Sequence, residues 1–192
     1  VAACWEFIIP GKGADIPNFA TMDFPHVVSN VITEKLEECD TFAEMLGCVK
    51  NAIKAECDKV VESRKAFKTP PLLLCSVYMD GCVESLTDMY HGGVKYNNFG
   101  CHGAGIANAA DALAAVKKAV YDDKTVGKKE LISALADNFD GCAEMRNILK
   151  SCPKMGNNDD YVDDIALELM SEFAKNMNNR NNGCGGIWRA GT

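Results

Sequence analysis

Histidine is scarce in this chain of 192 residues, with three copies, at positions 26, 91 and 102. None stands at a ligand spacing from another, and no C-x-x-C pair occurs. A zinc framework is therefore not expected. Long apolar runs are missing as well. The longest, such as Leu72-Leu73-Leu74-Cys75, extend over only a few residues, against the roughly 20 that a membrane-spanning helix needs. Positive charge is in deficit: 20 Lys and Arg face 27 Asp and Glu, for a formal net charge of −7. With no basic stripe interleaved with aromatics, nucleic acid is excluded as a partner. The pairs Lys117-Lys118 and Lys128-Lys129 read as solvated helix faces. The glycines between 91 and 105 are not spaced as a P-loop, and no G-x-G-x-x-G follows a strand pattern, which argues against phosphate binding. No basic leader precedes the first residues. The chain opens at Val1 and stops at Ala190-Gly191-Thr192, a Gly-rich stretch in which no closing strand or helix is expected. The sequence reads as a fragment of a longer protein.

Cysteine, by contrast, is abundant, with ten copies. Most lie within helical patterns instead of the loop-rich spacing of a secreted disulfide framework. They read as reduced thiols of a cytoplasmic protein in a cell seldom exposed to oxygen. The length can bury a substantial core. The first two dozen residues, with Pro10, Gly11, Gly13 and Pro17, read as an extended piece leading into a loop. Asp23 and Pro25 open a helix that runs to about Cys39. Thr41-Phe42-Ala43-Glu44 is a capping box for a second helix, which carries an apolar stripe to about Lys65. Leu72 to Met79 fits either a buried strand or a helical turn, and 91–105 reads as loop. Further helices are predicted over about 106–121 and 128–139, then from a cap at Asp140 to Pro153, and from Asn157-Asn158-Asp159-Asp160 to about Met177. Asn178–Gly186 reads as loop. The acidic cluster at Asp159, Asp160, Asp163 and Asp164 lacks EF-hand spacing and reads as helix capping, so no metal is expected there.

One local pattern carries chemistry. In an extended segment residues two apart point the same way, so Cys4 and Glu6 of Ala3-Cys4-Trp5-Glu6 could face one substrate. A hydrogen-abstracting sulfur beside a proton acceptor is what radical elimination needs. The apolar run Phe7-Ile8-Ile9 would help exclude water.

Four stretches then resemble the glycyl radical enzymes, in the pyruvate formate-lyase-like branch that includes diol dehydratases and choline trimethylamine-lyase. Cys4-Trp5-Glu6 with Pro10-Gly11-Lys12 resembles the family's C-x-E finger loop. Asp80-Gly81-Cys82-Val83-Glu84 with Gly92-Gly93-Val94-Lys95-Tyr96-Asn97 is similar to its D-x-C-x-E…GGA-x-YN stretch. Residues 105–118, from Gly105-Ile106-Ala107-Asn108 to Lys117-Lys118, resemble its G-x-AN-x-ADSLAAIKK helix. Pro153-Lys154-Met155-Gly156-Asn157 through Asp163 resembles its PKYGNDDDYVD segment. The resemblance implies an α/β fold, a predominantly helical segment of a ten-stranded β/α barrel. Residues 1–192 would be the central part of the catalytic domain, with the finger loop over about 1–20 and the radical-glycine domain absent.

The resemblance also implies a thiyl radical at Cys4 and a general base at Glu6. Cys82 with Glu84, in the later motif, is the alternative pair. No cofactor or metal is expected in the segment itself. The protein glycyl radical would lie outside this chain, installed by an S-adenosylmethionine-dependent iron–sulfur activase, and the chain alone would be inactive. Implied partners are a small polar substrate, the activase and a second copy in the full-length homodimer. Formate-lyase chemistry uses two adjacent cysteines, whereas Trp5 follows Cys4 here, so dehydratase-like elimination is the expected reaction. Trp5 and Phe7 depart from the β-branched residue and proline frequent at those positions. A helical scaffold without chemistry, and a thiol redox sensor, are the readings from other classes.

Overall fold

The computed structural model describes residues 9–13, 15–66 and 70–191. They form two compact units, each assembled from separated stretches. One gathers the residues up to Met22 with 56–103 and 173 onward, and the other gathers 23–55 with 104–172.

The second unit is helical. Helix α1 (Phe24–Lys35) starts where the Asp23 side chain accepts the His26 N–H at 3.0 Å, with Pro25 in the first turn, as the sequence indicates. Helix α2 (Phe42–Ala66) begins with the expected reciprocal cap. Glu44 Oε2 accepts from the N–H groups of Asp40 and Thr41 at 2.7 and 2.9 Å, and Thr41 Oγ1 accepts from Glu44 N–H at 3.2 Å. Orphan donors at the helix start are thereby satisfied. Helix α5 (Ile106–Val116) lies against α1. Its contact face is small and closed to water: Ala109, Ala110, Leu113 and Ala114 are fully buried. The approach is close enough that a Cβ at Gly105 (φ +72°) would meet Pro25 Cγ at 2.5 Å, so glycine is required there for both space and conformation.

Helix α5 continues into a wider π turn over Lys117–Asp122, where Asp123 N–H reaches back five residues to the Lys118 carbonyl at 2.8 Å. Three sequence expectations shift in this unit. Helix α6 (Lys128–Ala136) stops before Phe139, because Asn138 and Phe139 take positive φ and Phe139 N–H closes on the Ala134 carbonyl at 2.6 Å. Such a left-handed cap ends a helix without proline. Helix α7 (Ala143–Ser151) starts from Cys142, not Asp140, since Gly141 (φ +69°) turns the chain after the aspartate. The two lysine pairs are not simply solvated. Lys117 Nζ sits 4.0 Å from the Tyr161 ring centroid, and Lys128 Nζ donates to the Cys39 carbonyl at 2.6 Å, because each stem crosses an aromatic on a neighbouring helix. Helix α8 (Asp160–Met177) has the predicted span, with the Asp159 carboxylate accepting from Tyr161 N–H at 3.0 Å.

The first unit holds a three-stranded sheet in the order β1 (Ile16–Asp23), β2 (Phe99–Ala104), β3 (Trp188–Gly191). Strands β2 and β3 run parallel, with Phe99 opposite Trp188 and Cys101 opposite Ala190. Both β2 and β3 correct the sequence reading, which took 91–105 as loop and expected no strand near the end. Phe-Gly-Cys-His-Gly-Ala has two glycines and no β-branched residue, so its local preference is against a strand. Burial on both faces and pairing on both edges decide its conformation, with Phe99, Gly100, Cys101 and Gly103 buried. The undecided Leu72–Met79 stretch contains a helical turn, α3 (Leu73–Ser76), and a second turn, α4 (Cys82–Ser85), follows. Among the described residues no helix is long and apolar enough to cross a membrane.

The α2 cap gives a pH prediction. Backbone N–H donors of Thr41 and Asp40 hold the Glu44 carboxyl below its ordinary range. A depressed carboxylate stabilises the fold above its unfolded value, and the benefit is lost as pH falls through the folded value. Wild type should therefore exceed Glu44→Gln in urea midpoint at pH 6–8, and the gap should close below about pH 4. A gap that persists at low pH would show that the cap does not act through its charge.

Candidate active site

Cys4 and Glu6 lie outside the described residues. The described part of the same segment begins at Ile9 and turns tightly, with Lys12 N–H donating to the Ile9 carbonyl at 3.1 Å. Two later stretches grip it. Asp80 N–H donates to the Gly11 carbonyl at 2.6 Å, and Lys12 Nζ meets Asp80 Oδ2 at 2.5 Å. Tyr96 N–H donates to the Lys12 carbonyl at 3.0 Å, alongside a parallel bridge from Gly13 to Tyr96. Asn98 completes the grip, its N–H on Asp15 Oδ1 at 2.6 Å and its Nδ2 on Asp15 Oδ2 at 3.2 Å. The Lys12 hydrogen bond holds the Asp80 carboxyl below its usual range. Both side chains are well exposed, so that ion pair contributes little, and the backbone bonds to Gly11 and Lys12 do the positioning.

Behind the grip is a buried polar lock. Asn97 Nδ2 donates to the Cys184 carbonyl, and Asn182 Nδ2 returns a bond to the Asn97 carbonyl at 2.6 Å. Asn182 Oδ1 accepts from Cys184 and Gly186 N–H at 2.9 and 3.1 Å, which shapes the 182–186 turn. Asn98 Oδ1 accepts from Ile187 N–H at 3.2 Å, and Phe99 N–H donates to the Ile187 carbonyl at 3.0 Å. Gly186 is packed so closely that a Cβ would stand 1.8 Å from the Asn97 carbonyl oxygen.

Next to the lock is an aromatic layer. Phe19 and Phe99 stack at 4.3 Å between centroids, and Trp188 meets both edge-on at 5.7 Å. The Arg64 guanidinium lies 5.2 Å from the Phe99 centroid and donates to Cys184 Sγ at 2.9 Å. Cation–π contact and a hydrogen bond let a charged group sit this deep.

The alternative pair is placed differently. Cys82 is buried in a small cluster with Met89 and Val94. Burial raises its thiol pKa, and Asp88 adds to that. Glu84 Oε2 accepts from Gly81 N–H at 3.0 Å, capping α4. Residues two apart on a helical turn do not share a face, so the structure does not bring this thiol and this carboxylate together.

The sequence motifs include Lys12 and the stretches around Asp80 and Asn97 but give no role to Asp15, Arg64, Asn98, Asn182 or Cys184. Asp80 and Asn98 fall in or beside quoted motifs and could have been found there. Arg64 on α2 and Cys184 in the tail are 120 residues apart, and no local pattern links them. Among the described residues no group of His, Cys, Asp or Glu is arranged to hold a metal.

Residues 27–192 match the model of the pyruvate formate lyase-like proteins. The chain belongs to the pyruvate formate lyase-like family. It is 36% identical over 138 residues to trans-4-hydroxy-L-proline dehydratase of Clostridioides difficile, covering 71% of this chain and 17% of that protein. The glycerol-bound B12-independent glycerol dehydratase from Clostridium butyricum superposes with a TM-score of 0.83 at 27% identity, covering 94% of this chain and 25% of that one. A Roseburia inulinivorans protein solved for 1,2-propanediol dehydration superposes at 0.85 with 25% identity, over 95% and 26% of the two chains. The chain thus spans about a quarter of the length of these solved relatives. The glycyl radical enzyme resemblance read from the motifs, and the expected α/β, mainly helical segment of that barrel, are borne out.

The lock sets a stability prediction. Gly186→Ala forces a methyl into a backbone oxygen and should cost about 3 kcal/mol in urea unfolding. Asn98→Ala removes bonds to a carboxylate and to Ile187 and should cost about 2–4 kcal/mol. Lys12→Met, at the exposed pair, should barely move the midpoint. A Gly186→Ala protein as stable as wild type would refute the packing described for the 182–186 turn.

Proposed function

We propose that the protein containing this chain is a glycyl radical dehydratase or related lyase acting on a small polar substrate, with Cys4 as the radical thiol and Glu6 as the base. The observation that carries the reading is the grip on residues 11–15, the continuation of the Cys4-Trp5-Glu6 segment. Backbone groups of Asp80, Tyr96 and Asn98 hold it from motifs that recur in the family's order. A loop that must present a thiol and a carboxylate to one substrate needs such rigid support. Family membership and the dehydratase names of the relatives support the same reaction class.

A glycyl radical, sited outside this chain and installed by an S-adenosylmethionine-dependent iron–sulfur activase, would supply the unpaired electron. A single thiol beside a carboxylate is a donor set suited to it. Cys4 gives up its hydrogen atom, then takes one from a substrate carbon that bears a hydroxyl. Glu6 accepts the hydroxyl proton as the leaving group departs from the neighbouring carbon, a base role that needs hydrogen-bond reach. The product radical recovers a hydrogen atom from Cys4, and the sulfur is ready for another turnover. Phe7, Ile8 and Ile9 suit a dry environment for these steps. Trp5 in place of a second cysteine disfavours the formate-lyase reaction. The nine cysteines described are all free thiols, which fits a cytoplasmic, reducing setting. The working form is proposed as a homodimer.

The test uses the full-length enzyme, activated anaerobically. Cys4→Ala should keep the glycine-centred paramagnetic doublet and lose turnover. Glu6→Gln should lower kcat by about 10²–10⁴-fold, and Cys82→Ser should retain activity. Full turnover by Cys4→Ala, or its loss in Cys82→Ser with the doublet intact, would overturn the assignment.

A further inference from the structure

Beyond the proposed radical site, the helical unit holds a pair of thiols poised to react with each other. Cys39 Sγ and Cys48 Sγ stand 3.8 Å apart. Cys39 lies in the connection between α1 and α2 and is buried, whereas Cys48, in the second turn of α2, is half-exposed. Cys39 is held from behind. Its carbonyl accepts from Lys128 Nζ at 2.6 Å and from Tyr121 Oη at 3.1 Å, so the backbone is fixed.

We propose that Cys39 and Cys48 form a peroxide-reactive dithiol that closes to an intramolecular disulfide, an oxidative modification site separate from the Cys4 chemistry. Cys48 meets hydrogen peroxide first. Its thiolate attacks one peroxide oxygen, the O–O bond breaks, and with one proton taken up the products are a Cys48 sulfenic acid and water. Cys39 sulfur then attacks Cys48 sulfur, the S–OH bond breaks, and the hydroxide leaves with the Cys39 proton as a second water. In sum, two thiols and one peroxide give one disulfide and two waters. The sulfurs must approach from 3.8 Å to about 2.05 Å, a shift within reach of χ1 rotation at two side chains.

No other cysteine pair shows this arrangement among the described residues. Cys57 and Cys101 are fully buried, and burial pushes their thiols up to about 12 and about 11. Cys152 points to the Ile148 carbonyl at 3.4 Å, and Cys184 is engaged by Arg64. Burial also lifts Cys39, with Cys48 adding to it, to about 11. Cys39 therefore stays protonated and leaves the first reaction with peroxide to Cys48; its proton departs only with the hydroxide displaced in the second step.

The experiment uses the full-length protein, purified anaerobically and treated with one equivalent of hydrogen peroxide before alkylation and peptide mass spectrometry. A Cys39–Cys48 cross-linked peptide, two hydrogen atoms lighter than its parts and reversed by dithiothreitol, is expected as the main product. Cys39→Ser should leave a Cys48 sulfenic acid that dimedone captures, and Cys48→Ser should abolish the cross-link and slow peroxide consumption at least tenfold. Irreversible Cys48 sulfonate without a cross-link in the wild type, or a dominant disulfide between other cysteines, would overturn the proposal.

Discussion

The exchange of hydrogen bonds between Asn97 and the 182–186 turn is the constraint on which the sheet-bearing unit depends. Asn97 gives its side-chain amide to the Cys184 carbonyl and its own carbonyl to Asn182, and Gly186 closes against it with no room for a methyl group. From that point strands β2 and β3 run side by side, beginning with Phe99 opposite Trp188. A parallel pair cannot be joined by a tight turn, and here the crossover takes some 80 residues. The lock helps to set the register of two strands separated so far along the chain, together with the Phe99–Trp188 ring contact.

The lock and the grip share neighbouring residues. Asn98 bonds Asp15 on one side and Ile187 on the other. A single side chain therefore connects the segment that continues from Cys4-Trp5-Glu6 to the starts of β2 and β3. Tyr96 and Asp80 add backbone contacts from the same stretch. Main-chain bonds resist displacement better than exposed ion pairs, because neither partner has side-chain freedom to lose. The arrangement suits a loop whose chemistry tolerates little error in distance.

How much of this was legible in the sequence differs by element. The α2 start was readable because a capping box is a local rule, written in Thr41 and Glu44 three residues apart. The α8 span was readable because cap formers precede a long 3.6-residue stripe. Strand β2 was not, since Gly100 and Gly103 occupy it and only tertiary burial makes it extended. Strand β3 escaped notice for the same reason, as its partner lies in that unread strand. In the site, the motifs carrying Gly11, Lys12, Asp80 and Asn97 were visible, while the contacts between them and the partner Asn182 were not. Motifs mark one half of a contact, and the other half is decided by the fold. Helix ends at Ala136 and Cys142 followed left-handed residues that periodicity does not register.

The distribution of thiols follows from the same burial. The proposed Cys4 chemistry requires that other sulfurs stay out of competing side reactions. Thiolate is the reactive form toward oxidants and electrophiles, and a low-dielectric site suppresses it. Cys57 and Cys101, fully buried beside the sheet, are held protonated at neutral pH by desolvation. Cys82 is similarly shielded among Met89 and Val94. Packing thus keeps these three thiols chemically quiet. Cys48 on α2 differs from these in being only partly buried with a second sulfur 3.8 Å away, so packing does not keep it apart from a reaction partner.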